Sequence, residues 1–260
     1  MSHLKKKSAY EVLTEARSSK RPKITDYYDN LFTDFYELKG DRLSGEDPAI
    51  LGGIAMFEGE PVTVIGHRKG NDLMENIRFN FGMPEPQGYR KAARLMKEAE
   101  RFGRPVITFI DTPGAYPGRK AEENGQSTAI AENLALMSTL KTPLICIVTG
   151  EACSGGALAI AAGDCLIMLE NSVYSVLSPE GMASILWKDP SRVAEACEQM
   201  KMTADILYKE GIADEVIKED YASLKRSVSK HLKELKKLDA DDLVQKRYEK
   251  YRLIGKYIRL

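Results

Sequence analysis

The chain has 260 residues, enough for one large domain or two small ones. Its 38 basic and 38 acidic side chains cancel, which gives nucleic acid or an anionic membrane no excess charge to recognise. No run reaches the apolar length of a membrane span, and Met1–Lys7 lacks a signal peptide's apolar stretch, so a cytoplasmic protein is expected. Cys146, Cys153, Cys165 and Cys197 form no C-x-x-C pair, and His3, His67 and His231 are scattered. Reduced thiols and no metal site are expected.

Met1 to about Arg21 is polar and Lys-rich, with a weak helical pattern over Ala9–Ala16, and reads as a surface arm. Ile24–Leu38 carries Tyr27, Tyr28, Leu31, Phe32, Phe35, Tyr36 and Leu38 at helical spacing, predicting one helix with an aromatic stripe for the core or a partner subunit. Ile50–Phe57 and Pro61–Gly66 predict a hairpin around Glu58-Gly59-Glu60-Pro61. His67-Arg68-Lys69-Gly70 is then a basic turn at a strand end, open either to an anion or to solvent. The loop Asn80–Gly88, its path fixed by Pro84 and Pro86, leads to a helix over Tyr89–Phe102 that Gly103 ends.

Val106–Ile110 is a short β-branched run with the look of a buried strand. It runs into Asp111-Thr112-Pro113-Gly114-Ala115-Tyr116-Pro117-Gly118, where two prolines and two glycines in eight residues demand a sharp, fixed loop. Pro113 has no N–H, while Gly114 and Ala115 keep theirs and carry almost no side chain. Uncovered backbone donors of this kind suit a developing oxyanion. After a helix over Gln126–Leu140, the same design returns: a strand over Pro143–Thr149, the turn Gly150–Gly156, and a small apolar run Ala157–Ala162 read as a buried helix. Its N-terminus would direct free N–H groups and the positive end of the helix dipole at whatever sits above.

Cys165–Leu169 and Ser172–Leu177 predict two further strands, and Ser178-Pro179-Glu180-Gly181 turns into a helix over Met182–Trp187. Val193–Glu210 predicts one helix, Ile212–Ile217 a short strand, and Ser223–Leu238 and Asp241–Ile258 two Lys/Arg-rich helices with solvated basic faces. Strands alternating with helices imply an α/β fold with a largely parallel sheet.

Three chemistries compete for the bare turns. A serine hydrolase would use Ser154 in a G-x-S-x-G-like elbow with Ala152 in place of the first Gly, and His67 as base. A crotonase-type hydratase needs two carboxylates; Glu180 matches one, but Ala157 and Leu158 stand where the other belongs. The third is acyl-CoA carboxyl transfer. Gly40-Asp41-Arg42, Gly66–Gly70, Asn80–Ala92, Asp111–Gly118, Ser154–Ala159 and Tyr174–Lys188, six motifs in order over roughly 39–217, closely resemble the α-subunit family of bacterial acetyl-CoA carboxylase carboxyltransferases.

The resemblance implies a crotonase/ClpP-like spiral of β-β-α units over 39–222, with helical extensions at 1–38 and 223–260. It implies a β subunit of the same fold in an α₂β₂ complex, with zinc only on that partner. Carboxybiotin would arrive on a biotin carboxyl carrier protein, and ATP would be used only by a partner biotin carboxylase. The reaction would convert acetyl-CoA to malonyl-CoA for fatty-acid synthesis. The ureidate left by carboxybiotin can take the methyl proton itself, so no protein acid–base pair is required. By motif position, the Gly114 and Ala115 N–H groups would hold the biotin ureido oxygen, with Gly155 and Gly156 lining the same cavity. Met83 and Tyr89 would shape the biotin pocket or pack the core, and Lys69 and His67 would sit at its rim. Glu180 is expected to cap a helix rather than catalyse, and Arg119–Lys120 to be a solvated pair. Ala152 and Cys153 replace glycines usual in the family and either narrow the cavity or merely pack. A scaffold subunit that completes the partner without contributing to the site remains the alternative.

Overall fold

A computed structural model describes residues 7–255. Helices α1 (Ala9–Ala16) and α2 (Ile24–Leu31) precede an edge strand β1 (Thr33–Glu37) and the hairpin β2 (Ile50–Phe57) and β3 (Glu60–His67). Then follow α3 (Leu73–Arg78), α4 (Pro86–Arg101), β4 (Val106–Thr112), α5 (Arg119–Glu123), α6 (Gln126–Thr139), β5 (Leu144–Cys153) and α7 (Ser154–Leu158). The chain continues through β6 (Cys165–Leu169), β7 (Val173–Ser175), α8 (Pro179–Trp187), α9 (Val193–Met200), α10 (Ala204–Lys209), β8 (Glu215–Ile217), α11 (Tyr221–Leu235) and α12 (Ala240–Leu253).

The strands form one sheet in the order β1-β2-β3-β4-β5-β6-β8, with β7 paired to the end of β5. β1, β2 and β3 are antiparallel, and every later pairing between these strands is parallel. Alternation along β4 and β5 sends side chains to two cores. Val106, Ile110, Leu144 and Val148 meet α4 and α6 through Leu95, Met96 and Met137. Ile107, Phe109, Ile145 and Ile147 meet α2 and α11 through Tyr27, Tyr28, Val228 and Leu232. Phe109 takes aromatic contacts from Tyr27, Tyr28 and Phe32, with centroids 5.6–6.1 Å apart.

The structure departs from the sequence reading in several places. The helix expected over Ile24–Leu38 ends at Leu31; Phe32 turns extended, Asp34 takes φ +53°, and β1 pairs along β2. Gly53 permits that pairing, since a Cβ there would lie 2.0 Å from Tyr36 O. Pro86 sits at the first turn of α4 rather than in the preceding loop, its fixed φ serving as helix start. The single helix expected over Val193–Glu210 breaks at Lys201, which is left-handed; Met202 O then accepts from Tyr174 N at 2.9 Å. The expected surface arm is a docked helix. Ser8 and Glu11 form a capping box, and Ala9, Val12, Leu13 and Ala16 are buried against Val173, Cys197 and Met202. Residues 1–6 of that segment, and the last residues expected in the terminal helix, 256–258, lie outside those described.

The terminal helix is fastened by a buried ion pair. Arg247, 2 % exposed, forks onto Asp164 at 2.7 and 2.9 Å and donates to the Met137 and Leu140 carbonyls at 2.6 and 2.8 Å. Among the described residues no helix is long and apolar enough to cross a membrane, and no group of three or more His, Cys, Asp or Glu is placed to hold a metal ion. All four cysteines are free and buried.

Candidate active site

β4 and β5 are neighbours, with Thr112 opposite Ala152, so the two turns separated in sequence emerge side by side. An irregularity between Ile110 and Thr112 releases β4 into the first turn. Gly114 takes φ +144°, a conformation open to glycine, and a Cβ there would meet only Cys153 O at 4.0 Å. Its N–H is taken: Gly114 N donates to Thr112 Oγ1 at 3.0 Å, and that hydroxyl donates back to Gly114 O at 2.7 Å. This corrects the expectation of two free donors. The Ala115 N–H has no hydrogen-bond acceptor among the described residues, and Ala115 is half-buried. The next residue is anchored, with Tyr116 N donating to Pro84 O at 3.0 Å and Gln126 Nε2 to Pro84 O and Tyr116 O at 2.9 and 3.0 Å.

The second turn differs from the sequence reading in its register. β5 runs on through Cys153, and α7 begins at Ser154 rather than after Gly156, so Gly155 and Gly156 lie in its first turn. No side chain caps these amides. Ser154 holds φ +61°, a strained value for a residue with a Cβ. Gly156 is pressed against the first turn: a Cβ would lie 2.3 Å from Ala115 N and 2.4 Å from Gly114 C. Gly155 is roomier, with Ile130 Cγ2 nearest at 3.6 Å. Ala152 and Cys153 are buried in the sheet and pack.

Tyr89 is fully buried and reaches the site only through its hydroxyl, which donates to Gly156 O at 3.3 Å. It braces the second turn and lines no opening. Met83 is half-buried just before Pro84. Lys69 donates to Asp111 Oδ1 at 2.6 Å and, with Lys23, Phe81, Asp111 and Pro113, lines a cavity of about 260 Å³ beside the first turn. His67 is not at the rim. It is 2 % exposed, neither ring nitrogen has a hydrogen-bond partner of good geometry among the described residues, and burial pushes its pKa down to about 3. A buried imidazole with no bond to Ser154 makes no triad.

Glu180 does not cap α8; Ser178 Oγ does, accepting from Gly181 N at 3.1 Å. Glu180 instead meets Arg17 Nη1 at 2.6 Å, and the guanidinium holds its carboxyl below the usual range. Arg119 is almost fully exposed and pairs with Glu123 at 2.7 Å. The residues that sequence reasoning passed over are Thr112, the acceptor that consumes one donor, and Arg17, set aside as part of an arm. The capping-box pair Ser8–Glu11 was the signal that a folded helix, and hence a fixed Arg17, begins there.

A family model described as "Acetyl co-enzyme A carboxylase carboxyltransferase-like" matches residues 2–255. Relatives named acetyl-coenzyme A carboxylase carboxyl transferase subunit alpha are 55 % identical: one from Bacillus cereus (strain G9842) over 251 residues, 92 % of this chain and 78 % of its own length, and one from Halalkalibacterium halodurans over 253 residues, 93 % and 78 %. Among solved structures, transcarboxylase 12S aligns with TM-score 0.71 at 20 % identity over 88 % of this chain. The beta subunit of P. aeruginosa geranyl-CoA carboxylase aligns with TM-score 0.66 at 16 % identity over 87 %. The chain spans 44 % of each of those two chains. At these identities the likeness concerns the fold alone, and it bears out the α/β architecture expected from the sequence.

Proposed function

Since the chain belongs to the family of acetyl-CoA carboxylase carboxyltransferase alpha subunits, we propose that it forms the biotin-facing half of a site that moves a carboxyl group from carboxybiotin to acetyl-CoA, yielding malonyl-CoA for fatty-acid synthesis. The observation that carries this reading is the junction of the two turns: an amide at Ala115 without an acceptor, backed by the uncapped first turn of α7. A ureido oxygen fits that junction as an acceptor. The space over Gly114 is open. Carboxybiotin, when bound, supplies the carboxyl group and the base for the methyl proton.

This chain's residues bind and orient. Ala115 N–H donates to the ureido oxygen as negative charge grows there, an interaction worth roughly 3–4 kcal/mol per well-placed donor. Gly155 and Gly156 add amides and the positive end of a short helix dipole. Thr112 clasps Gly114 through both its N–H and its carbonyl, which fixes the turn that carries the Ala115 amide. Lys69 lines the cavity beside the first turn, and we assign Met83 to the biotin pocket as well.

A name reserved for an alpha subunit supports a multisubunit assembly. We assign the second half of the site, the acetyl-CoA contacts and a zinc site to a beta subunit of the same fold in an α₂β₂ complex. The carrier protein and a biotin carboxylase, the one consumer of ATP, complete it. Co-purification with a zinc-finger beta subunit, followed by an assay for malonyl-CoA decarboxylation dependent on a biotin compound, tests the assignment. Turnover that needs both subunits and the biotin compound is expected; a stable complex with no such turnover overturns it.

A further inference from the structure

Arg17 lies at the C-terminal end of α1, far in sequence from either turn, yet it belongs to a chain of ion pairs and one backbone hydrogen bond that passes both. One side of its guanidinium forks onto Glu151, Nε to Oε2 at 3.0 Å and Nη2 to Oε1 at 2.6 Å. The other side meets Glu180, Nη1 to Oε1 at 2.6 Å and Nη2 to Oε2 at 3.3 Å. Glu151 is on β5, three residues before α7, and its backbone N–H donates to Asp111 Oδ1 at 3.1 Å. Asp111, on β4 just before the first turn, also holds Lys69 Nζ at 2.6 Å. The path Lys69–Asp111–Glu151–Arg17–Glu180 therefore connects the basic turn after β3, both glycine turns and the start of α8.

The path is stiff at each joint. Gly150 is packed so closely that a Cβ would lie 2.5 Å from Asp111 Oδ1. Glu151 is 4 % exposed, so its carboxylate depends on Arg17 for compensation. α1 is itself anchored, by its buried apolar face and by Arg21, which donates to Thr149 O and pairs with Glu219 at 2.7 Å. The planar fork of an arginine can serve two carboxylates at once; a lysine at the same place serves one.

We propose that Arg17 is a positioning residue for carboxyl transfer: by gripping Glu151 and Glu180 together, it ties the end of β5, which carries the second turn and bonds Asp111 through the Glu151 N–H, to the start of α8, and keeps the Glu180 carboxylate engaged as a strut. The inference rests on the carboxyltransferase reading above. It explains why the S-P-E-G glutamate sits where a crotonase acid would sit but is bound to a guanidinium. It also gives α1 a role in the site without contact with substrate.

The test uses the complex assembled with the beta subunit and measures biotin-dependent malonyl-CoA decarboxylation by wild type, Arg17→Met and Arg17→Lys. A displacement of about 1 Å at reacting groups costs on the order of 100-fold in rate. Arg17→Met is therefore expected to lower kcat by roughly 10- to 100-fold with KM for malonyl-CoA within about twofold of wild type. Arg17→Lys, which keeps the charge but not the fork, should recover part of kcat. A lowered thermal midpoint with unchanged kcat in the folded complex overturns the inference, as does a rise in KM alone. Where Arg17→Met does not assemble, Glu180→Gln and Glu151→Gln take its place, with the same fall in kcat at constant KM expected and unchanged kcat counting against. Absence of turnover in the wild-type complex would defeat the carboxyltransferase reading itself, whereas active wild type with an equally active Arg17→Met defeats only the role of Arg17.

Discussion

The contact between the two glycine turns makes a quantitative prediction for Gly156→Ala. The added methyl would sit 2.3 Å from Ala115 N, 2.4 Å from Gly114 C and 2.9 Å from Tyr89 Oη. Unstrained carbon contacts begin near 3.5 Å, so the backbones must part by about 1 Å. Two of the three atoms struck are main chain, which cannot swing away as a side-chain tip can. Overpacking of this kind costs about 1–3 kcal/mol in stability. The same displacement moves the Ala115 amide away from the position it should hold against a developing charge, at a cost on the order of 100-fold in rate. Gly155→Ala is the steric control: its methyl would meet Ile130 Cγ2 at 3.6 Å, an ordinary contact. In the complex with the beta subunit, Gly156→Ala should therefore lose about 100-fold in kcat for biotin-dependent malonyl-CoA decarboxylation and melt at lower temperature, whereas Gly155→Ala keeps its thermal midpoint. Wild-type kcat in an assembled Gly156→Ala complex would refute the argument, as would equal destabilisation by the two substitutions.

Gly114→Val should abolish transfer while leaving subunit assembly intact, because φ +144° strains a β-branched residue by about 1–3 kcal/mol although the space around it is open; loss of co-purification with the beta subunit would argue for a purely structural turn. Arg247→Met leaves Asp164, at 4 % side-chain exposure, without its paired guanidinium and, among the described residues, with only the Leu144 N–H on its carboxylate; it should cost about 3–5 kcal/mol, read from urea unfolding of the chain, with Asp164→Leu added to Arg247→Met restoring much of it. The Asp41 carboxyl is pushed up by burial, but the N–H groups of Gly45, Leu43 and Ser44 and the Arg90 guanidinium outweigh that and hold it well below the usual range. A folded pKa below the unfolded value of about 3.9 means its stabilisation is complete above about pH 4 and is lost as pH falls further. Asp41→Asn should therefore flatten the acid limb of stability below about pH 4, and an unchanged limb would show that other carboxylates set it.

Patterns confined to neighbours in sequence were enough for the central strands. Val106–Ile110 and Leu144–Val148 are apolar runs, interrupted only by Thr108, because both faces of a parallel sheet are covered, and the prolines and glycines after them permit only sharp turns. The six ordered motifs were enough for the family. Tertiary contacts decided the rest. Thr33–Glu37 carries aromatic residues at helical spacing, yet it becomes an edge strand because Gly53 leaves room for its backbone beside β2. Lys201 breaks a good helical pattern because Met202 must reach Tyr174. In the site, both Gly114 and Ala115 carry an uncovered amide on paper, and only folding brings Thr112 Oγ1 to one of them and Gly156 up against the other. Arg17 shows the same division. Its charge was visible in the chain, but its use depended on two carboxylates that lie 134 and 163 residues away and meet it only when α1 docks on β5 and β7. Sequence sets what each segment can do alone, by sterics and apolar pattern; which donors stay free for a ligand depends on partners distant in the chain, because a hydrogen bond is decided by position in space.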